Sequence, residues 1–260
     1  MRIFITGGAG FIGTHLCKKI SQLHKVTVYD NFSNSNQKDF PKISDVTLVI
    51  GDILNKSKLF YFMKNHDVVI HLAAKTDVVD SVNNPDDTFQ TNVNGTQNVL
   101  DSCISNNITK LITTSSSAVY KNSDDIVSEL SDTKPSSPYG QSKLDMEQII
   151  VSSGINYSIL RLFNVYGNGS TGGVITNFVK NISENKPLVI FGDGKAVRDF
   201  VHVDDVVKGI VFCMDSKSGI HNIASGIGTG IIQLANLFTR STEEKIIYKS
   251  ARTYEIIYSV

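Results

Sequence analysis

Thr6-Gly7-Gly8-Ala9-Gly10-Phe11-Ile12-Gly13 is the stretch on which the fold turns. It follows a short β-branched run, Ile3 to Thr6, and opens a run of apolar residues at helical spacing, Phe11 to Leu23. Glycines at 7, 10 and 13 let a strand reverse tightly into a helix and let backbone N–H groups approach a pyrophosphate at the positive end of that helix. Asp30 closes the next β-branched run, at the distance from Gly13 expected of a carboxylate that holds ribose hydroxyls. A carboxylate there repels a 2′-phosphate, and Asn31, Phe32, Ser33 and Asn34 offer no arginine to receive one, which favours NAD over NADP.

Outward from this turn, strand-like and helix-like segments alternate. Val26 to Asp30, Val46 to Ile50, Val68 to Leu72, Leu111 to Ser115 and Tyr157 to Leu160 read as buried strands. Asn55 to Met63, Asp86 to Ile104 and Tyr139 to Val151 repeat the helical spacing. Such alternation builds βαβ units on a parallel sheet. After Arg161 the rhythm loosens. Gly167 to Gly173 is rich in Gly, Asn and Ser, Phe191-Gly-Asp-Gly-Lys195 signals a tight turn, and helical patterns follow at Asp204 to Met214 and Ile231 to Phe238. The expected fold class is α/β. A Rossmann-type doubly wound parallel sheet spans residues 1–160, and a smaller C-terminal α/β lobe for substrate spans 161–260, with some segments returning to the sheet.

Composition narrows the function. The chain of 260 residues is 41% hydrophobic and 19% charged, too apolar for disorder. Its 25 basic and 25 acidic residues cancel, so no global field draws in nucleic acid or an anionic membrane. No stretch approaches the roughly 20 apolar residues of a membrane helix, and the N-terminus lacks the long apolar region of a signal peptide. Cys17, Cys103 and Cys213 are odd in number, lack CxxC spacing and sit in apolar segments, as small core residues do. The chain is expected to be soluble and cytoplasmic. His15, His24, His66, His71, His202 and His221 show no ligand spacing, so no metal site is expected. His71, at a strand end, suits a structural hydrogen bond, and Asp204-Asp205 suit an N-cap and first-turn acid of a helix.

Tyr139 and Lys143 stand four apart at the start of a helix announced by Pro135-Ser136-Ser137-Pro138, and so share a face. An ammonium beside a phenol stabilises phenolate and lowers the tyrosine pKa, which would make a proton shuttle. Asp52, after the third strand, suits either an adenine contact or a helix N-terminal acid.

Seven motifs occur in one order: TGGAGFIG at 6–13, HLAA at 71–74, TNVNGT at 91–96, SSSAVY at 115–120, SPYGQSK at 137–143, RLFNVYG at 161–167 and VRDFVHVDD at 197–205. Together they resemble the extended short-chain dehydrogenase/reductases, in particular the NAD-dependent nucleotide-sugar epimerase/dehydratase family, over nearly the whole chain. The resemblance implies bound NAD, a UDP-hexose substrate, 4-epimerisation through a transient 4-keto sugar, and a homodimer. It makes Tyr139 and Lys143 the catalytic pair and Ser116 the hydroxyl that orients the sugar oxygen. Gly7, Gly10, Phe11, Ile12, Gly13, Asp30, Asn31, Asp52, Ile53, Leu72, Ala73, Ala74, Asn92, Ser115 and Phe163 match cofactor positions, together with Tyr139 and Lys143.

Asn164, Val189, Phe191, Arg198 and Arg252 match positions that hold the nucleotide diphosphate and base. Ser259, seven after Arg252, falls where the family carries a residue that limits sugar size, and a small side chain there would admit an N-acetyl group. Thr253, Tyr254 and Glu255 depart from the family pattern in this loop. Family dehydratases carry Asp-Glu directly after the Ser116 position, where this chain has Ser117 and Ala118. A dehydratase or reductase of the same family, and a non-catalytic NAD sensor, are the alternatives. The chain ends at Val260 straight after an apolar run, which reads as a shortened substrate lobe.

Overall fold

The computed structural model describes residues 1–239, 245–251 and 256–260. Seven parallel strands form the central sheet: β1 (Arg2–Thr6), β2 (Lys25–Asp30), β3 (Val46–Ile50), β4 (Val68–His71), β5 (Lys110–Ser116), β6 (Tyr157–Leu162) and, from late in the chain, Gly219–Ile223. Their spatial order is β3-β2-β1-β4-β5-β6 followed by Gly219–Ile223, so the chain reverses its direction of travel between β1 and β4. A crevice opens at the carboxyl ends of strands at such a reversal, and it is the usual ligand site of this architecture.

Helices cover both faces, as a buried parallel sheet requires. One face carries α1 (Phe11–Ile20) and the helix Val203–Cys213, whose Val206, Val207 and Ile210 pack with Leu16, Ile3, Ile5 and Val28. The other carries α2 (Lys56–Met63), the segment 85–105 and the helix Pro138–Ser152, through Leu59, Met63, Val99, Leu100, Met146 and Ile150. Cys17 and Cys213 lie in the first cluster and Cys103 in the second, all free and buried. Burial pushes the Cys17 thiol up to about 12, so it is unreactive.

The segment 85–105 differs from the single helix its spacing suggests. A short helix α3 (Val78–Asn83) precedes it; then α4 (Pro85–Phe89) gives way to a π-helical turn, Gln90–Asn94, before α5 (Gly95–Ser105) resumes. Apolar periodicity does not register one extra residue per turn. Such turns concentrate at functional sites, and this one carries Asn92. Pro138–Ser152 is α6, capped by Ser137, whose hydroxyl accepts from the Gly140 N–H.

Beyond β6 come β7 (Asn164–Tyr166), α7 (Val174–Ser183), β8 (Leu188–Phe191), β9 (Val197–His202), α8 (Val203–Cys213), β10 (Gly219–Ile223), β11 (Gly228–Gly230), α9 (Ile231–Thr239), β12 (Ile246–Lys249) and β13 (Tyr258–Ser259). The turn at 191–195 does not close a hairpin. β8 pairs in parallel with β12, while β9 pairs with β7, β11 and β13. Phe178, Leu188, Ile190, Leu234 and Ala235 give this region its own small core. At the start of α8 the cap is His202, whose Nδ1 accepts from the Asp204 N–H, so Asp204 and Asp205 are first-turn acids and neither is the cap.

Candidate active site

The glycine turn lies at the reversal of the sheet. Gly7 has φ +70°, a conformation that L side chains avoid, and a Cβ there would stand 2.5 Å from the Ala73 nitrogen. Gly13 packs against Gly8, with 2.6 Å between a would-be Cβ and the Gly8 Cα. Gly10 caps α1 without a side-chain acceptor, and no acid sits in the first turn, which leaves the leading N–H groups of the helix to face an anion.

Asp30 ends β2 beside this turn, with Oδ2 accepting from the Ala9 N–H at 2.9 Å and Oδ1 from the Phe32 N–H at 2.8 Å. Phe32 is held at φ +58°, a strained conformation for a bulky residue. Asn31 donates to Asp52 Oδ2 at 2.8 Å, and Asp52 Oδ1 accepts from the Leu54 N–H. Asp52 therefore ties the ends of β2 and β3 together, while the α2 cap is Asn55. Ile53 and Phe163 are buried; Phe11, Ile12, Leu72, Ala73 and Ala74 are partly exposed around the crevice.

His71, Thr6, Thr96 and Asn92 form one buried chain. The Thr96 hydroxyl donates to the Asn92 carbonyl at 2.6 Å, so it accepts from His71 Nε2 at 2.9 Å, and His71 Nδ1 accepts from Thr6 at 2.7 Å. Burial, with Lys143 nearby, pushes His71 down to about 3 and keeps it neutral. The Asn92 amide accepts from the Lys75 N–H and donates to the Lys75 carbonyl and to Ser142 Oγ. Its side chain is thus engaged by protein on both ends, and it holds the 72–75 loop, the π-turn and α6 in register. Lys75 itself pairs with Asp87 and Asp80.

On α6, the Tyr139 N–H donates to Ser81 Oγ and the Tyr139 carbonyl accepts from Ser142 Oγ, which fixes the residue at its backbone. Ser116 ends β5, where its Oγ accepts from the Ala118 N–H at 3.1 Å. Burial raises the Tyr139 pKa, and the opposing pull comes from Ser116. The Lys143 ammonium reaches across to the Thr114 carbonyl at 2.9 Å, and burial lowers it to about 8.

Ser115, next to Ser116, is buried with an unpaired hydroxyl. Ser81 went unnoticed in the sequence because an isolated hydroxyl residue carries no pattern, and Thr6, Thr96 and Ser142 fall within the quoted motifs without a role assigned to them. An orphaned Ser115 hydroxyl, a helix end without a capping side chain and a turn in which a Cβ would clash are features that a dinucleotide with its pyrophosphate fits.

Of the positions expected on the substrate side, Asn164, Arg198 and Ser259 lie on β9 or on strands paired with it. Asn164 donates to the Asp199 carbonyl at 3.0 Å, and Arg198 Nη1 donates to the Val197 carbonyl at 2.9 Å. Ser259 on β13 stands opposite Arg198 in the strand register, with its hydroxyl 3.2 Å from that of Ser117. Val189 and Phe191 lie partly exposed on β8. Arg252 lies outside the described residues. Asp199, flanked by these positions and fully buried, accepts from the N–H groups of Ser225, Gly226 and Ile227. It was missed because a lone acid in a strand gives no hint of a loop folding onto it.

A sequence model of the NAD dependent epimerase/dehydratase family matches residues 3–227. The chain belongs to that family. NAD is its cofactor. Among similar proteins of this family, the UDP-glucose 4-epimerase of Yersinia pestis is 32% identical over 289 residues, covering 96% of this chain and 86% of that protein. The crystal structure of the UDP-glucose 4-epimerase of Thermotoga maritima with UDP-glucose superposes with a TM-score of 0.94 at 30% identity, covering 100% of this chain and 89% of the other. A UDP-N-acetylglucosamine 4-epimerase from Methanobrevibacter ruminantium, in complex with UDP-N-acetylmuramic acid, superposes with a TM-score of 0.92 at 31% identity, covering 100% and 88%. No described helix is long and apolar enough to cross a membrane.

Proposed function

We propose that the protein interconverts the two configurations at carbon 4 of a UDP-hexose, UDP-glucose with UDP-galactose, and accepts the N-acetylated pair as well. The observation that carries this reading is the burial of Tyr139 and Lys143 on one face of α6 against the end of β5, with Lys143 Nζ 2.9 Å from the Thr114 carbonyl of the strand that ends at Ser116, and with Ser117 and Ala118 in place of an acid-base pair. Bound NAD supplies a hydride acceptor and donor at its nicotinamide. Gly7, Gly10, Phe11, Ile12 and Gly13 would hold its pyrophosphate, Asp30 and Asn31 a ribose, Asp52 and Ile53 the adenine. Leu72, Ala73, Ala74, Asn92, Ser115 and Phe163 would line the rest of its site, with Lys143 on the nicotinamide ribose.

Tyr139 as phenolate takes the proton of the sugar 4-hydroxyl while Ser116 holds that oxygen in line, and a 4-keto sugar results. Lys143 balances the phenolate charge. When the ketone is reduced on its opposite face, Tyr139 returns the proton to the same oxygen. Asn164, Val189, Phe191, Arg198 and Arg252 grip the nucleotide while the sugar turns. No carboxylate follows Ser116 to eliminate water, which disfavours dehydration.

A homodimer through α5 and α6 fits the exposed Ile104 and Val151 on those helices. Three free buried thiols suit a reducing compartment such as the cytoplasm. Tyr139→Phe is expected to lower kcat for UDP-galactose by about 10²- to 10⁴-fold while NAD stays bound. Near-normal epimerisation by that variant removes the proposed role, and net NADH accumulation by the unaltered protein makes it a dehydrogenase instead.

A further inference from the structure

Tyr139, Lys143 and Glu147 are spaced by four and run down one face of α6. Glu147 is only 2% exposed, and both its oxygens are held by Arg161 of β6, Nε donating to Oε1 at 3.0 Å and Nη2 to Oε2 at 2.6 Å. The same guanidinium lies over the Tyr120 ring, with Cζ 4.8 Å from the centroid. Tyr120 closes the turn that begins at Ser116, and its hydroxyl donates to Asn222 Oδ1 on β10 at 2.6 Å. The Asn222 N–H in turn donates to Glu129 Oε1. One arginine therefore touches both arms of the site: the helix that carries Tyr139 and Lys143, and the turn that carries Ser116.

Desolvation offsets the attraction within a buried ion pair, so stability is a poor account of this one. Geometry is the better account, because a planar fork on a carboxylate and a flat cation on a ring together leave little freedom in separation or tilt. We propose that Arg161 and Glu147 are positioning residues for proton transfer. Arg161 sets the separation between the helix that carries Tyr139 and the turn that carries Ser116, and it keeps the Glu147 carboxylate one helical turn from Lys143. This inference rests on the reading of Tyr139 as the proton shuttle.

The groups facing Lys143 define what the carboxylate does there. They are Tyr139 and Glu147 on its own helix, the Thr114 carbonyl on β5 and neutral His71 on β4, with Arg161 behind Glu147. Burial disfavours the ammonium, and Glu147 is the anionic side chain that counters it. Removing that charge makes Lys143 give up its proton at lower pH.

Two variants separate position from charge. Arg161→Lys keeps the cation and loses the fork, and should lower kcat about tenfold with less than about threefold change in KM for UDP-glucose. Glu147→Gln keeps the shape and loses the charge, and should move the alkaline limb of the kcat profile to lower pH by about half a unit or more. Should Glu147→Gln fail to fold with Arg161 left unpaired, Glu147→Gln combined with Arg161→Met removes both charges and should show a smaller shift in the same direction. A wild-type kcat and an unshifted pH profile in variants that only melt earlier would overturn the proposal. Tyr139→Phe separates the two readings. If it stays active, the proton-shuttle assignment fails; if it is inactive while the Arg161 and Glu147 variants match wild type, only the positioning role fails.

Discussion

Helix α6 and the strands β7, β8, β9 and β13 hold their groups in contrasting ways. Tyr139, Lys143 and Glu147 come from one helix, are all buried, and are each tied to a partner on a neighbouring helix or strand, Tyr139 through its backbone N–H. Asn164, Val189, Phe191, Arg198 and Ser259 come from β7, β8, β9 and β13 and are all partly exposed. The difference follows from the work each side is proposed to do. Proton transfer rewards groups held to fractions of an ångström, whereas a sugar that must turn between two faces needs a nucleotide grip with room beyond it. A fixed half and an adaptable half are therefore expected to respond differently when disturbed.

The largest effect should come from Gly7→Ala on the fixed side. A left-handed residue and a 2.5 Å approach to Ala73 leave no place for a methyl, so a loss of about 1–3 kcal/mol in stability and of NAD binding is expected in melting and titration experiments. Retained NAD affinity would break the contrast. Next comes acid sensitivity. His71 titrates at about 3 in the fold against an ordinary 6.5, so between those values the unfolded chain binds a proton that the folded chain refuses. The stability involved is complete above pH 6.5 and is lost as pH falls toward 3. His71→Gln should flatten that acid limb of melting temperature against pH, and an unchanged slope would discount His71 as its source.

On the adaptable side, Asp199→Asn should cost about 1–3 kcal/mol by turning a side-chain N–H toward backbone donors. It should raise KM for the UDP-sugar while NAD binding stays as it was. Equal damage to both ligands would show that the two halves are coupled more tightly than their contacts suggest. The smallest effect is expected from Ser259→Tyr, about a tenfold loss on UDP-N-acetylglucosamine with less on UDP-glucose. Equal loss on both sugars would count against Ser259 as the residue that limits sugar size.

Legibility in the sequence followed the range of the contacts. β3 spans Val46–Ile50 as its β-branched run predicts, and the glycine turn, Asp30, Tyr139 and Lys143 all meet at the carboxyl edge of the sheet, because local periodicity and short spacings encode them. The π-turn at 90–94, the strand partners of β8 and β9, and the Asp199 loop were not legible. Each depends on segments remote in the chain, where spacing carries no information about pairing.

Alone, the amino-acid sequence determined a parallel α/β sheet, a tight glycine turn between the first strand and helix, and a tyrosine–lysine pair on one helical face, because these arise from neighbours within a turn or two of chain. Only the tertiary structure decided what those groups meet. It gave the Tyr139 N–H the Ser81 hydroxyl, sent the Lys143 ammonium to Thr114, filled the amide of Asn92 with protein partners, and placed Arg161 between Glu147 and Tyr120. The reason is physical. Burial changes a side chain's charge preference and exhausts its hydrogen bonds through whatever the fold brings against it, and that company is chosen by packing across the sheet.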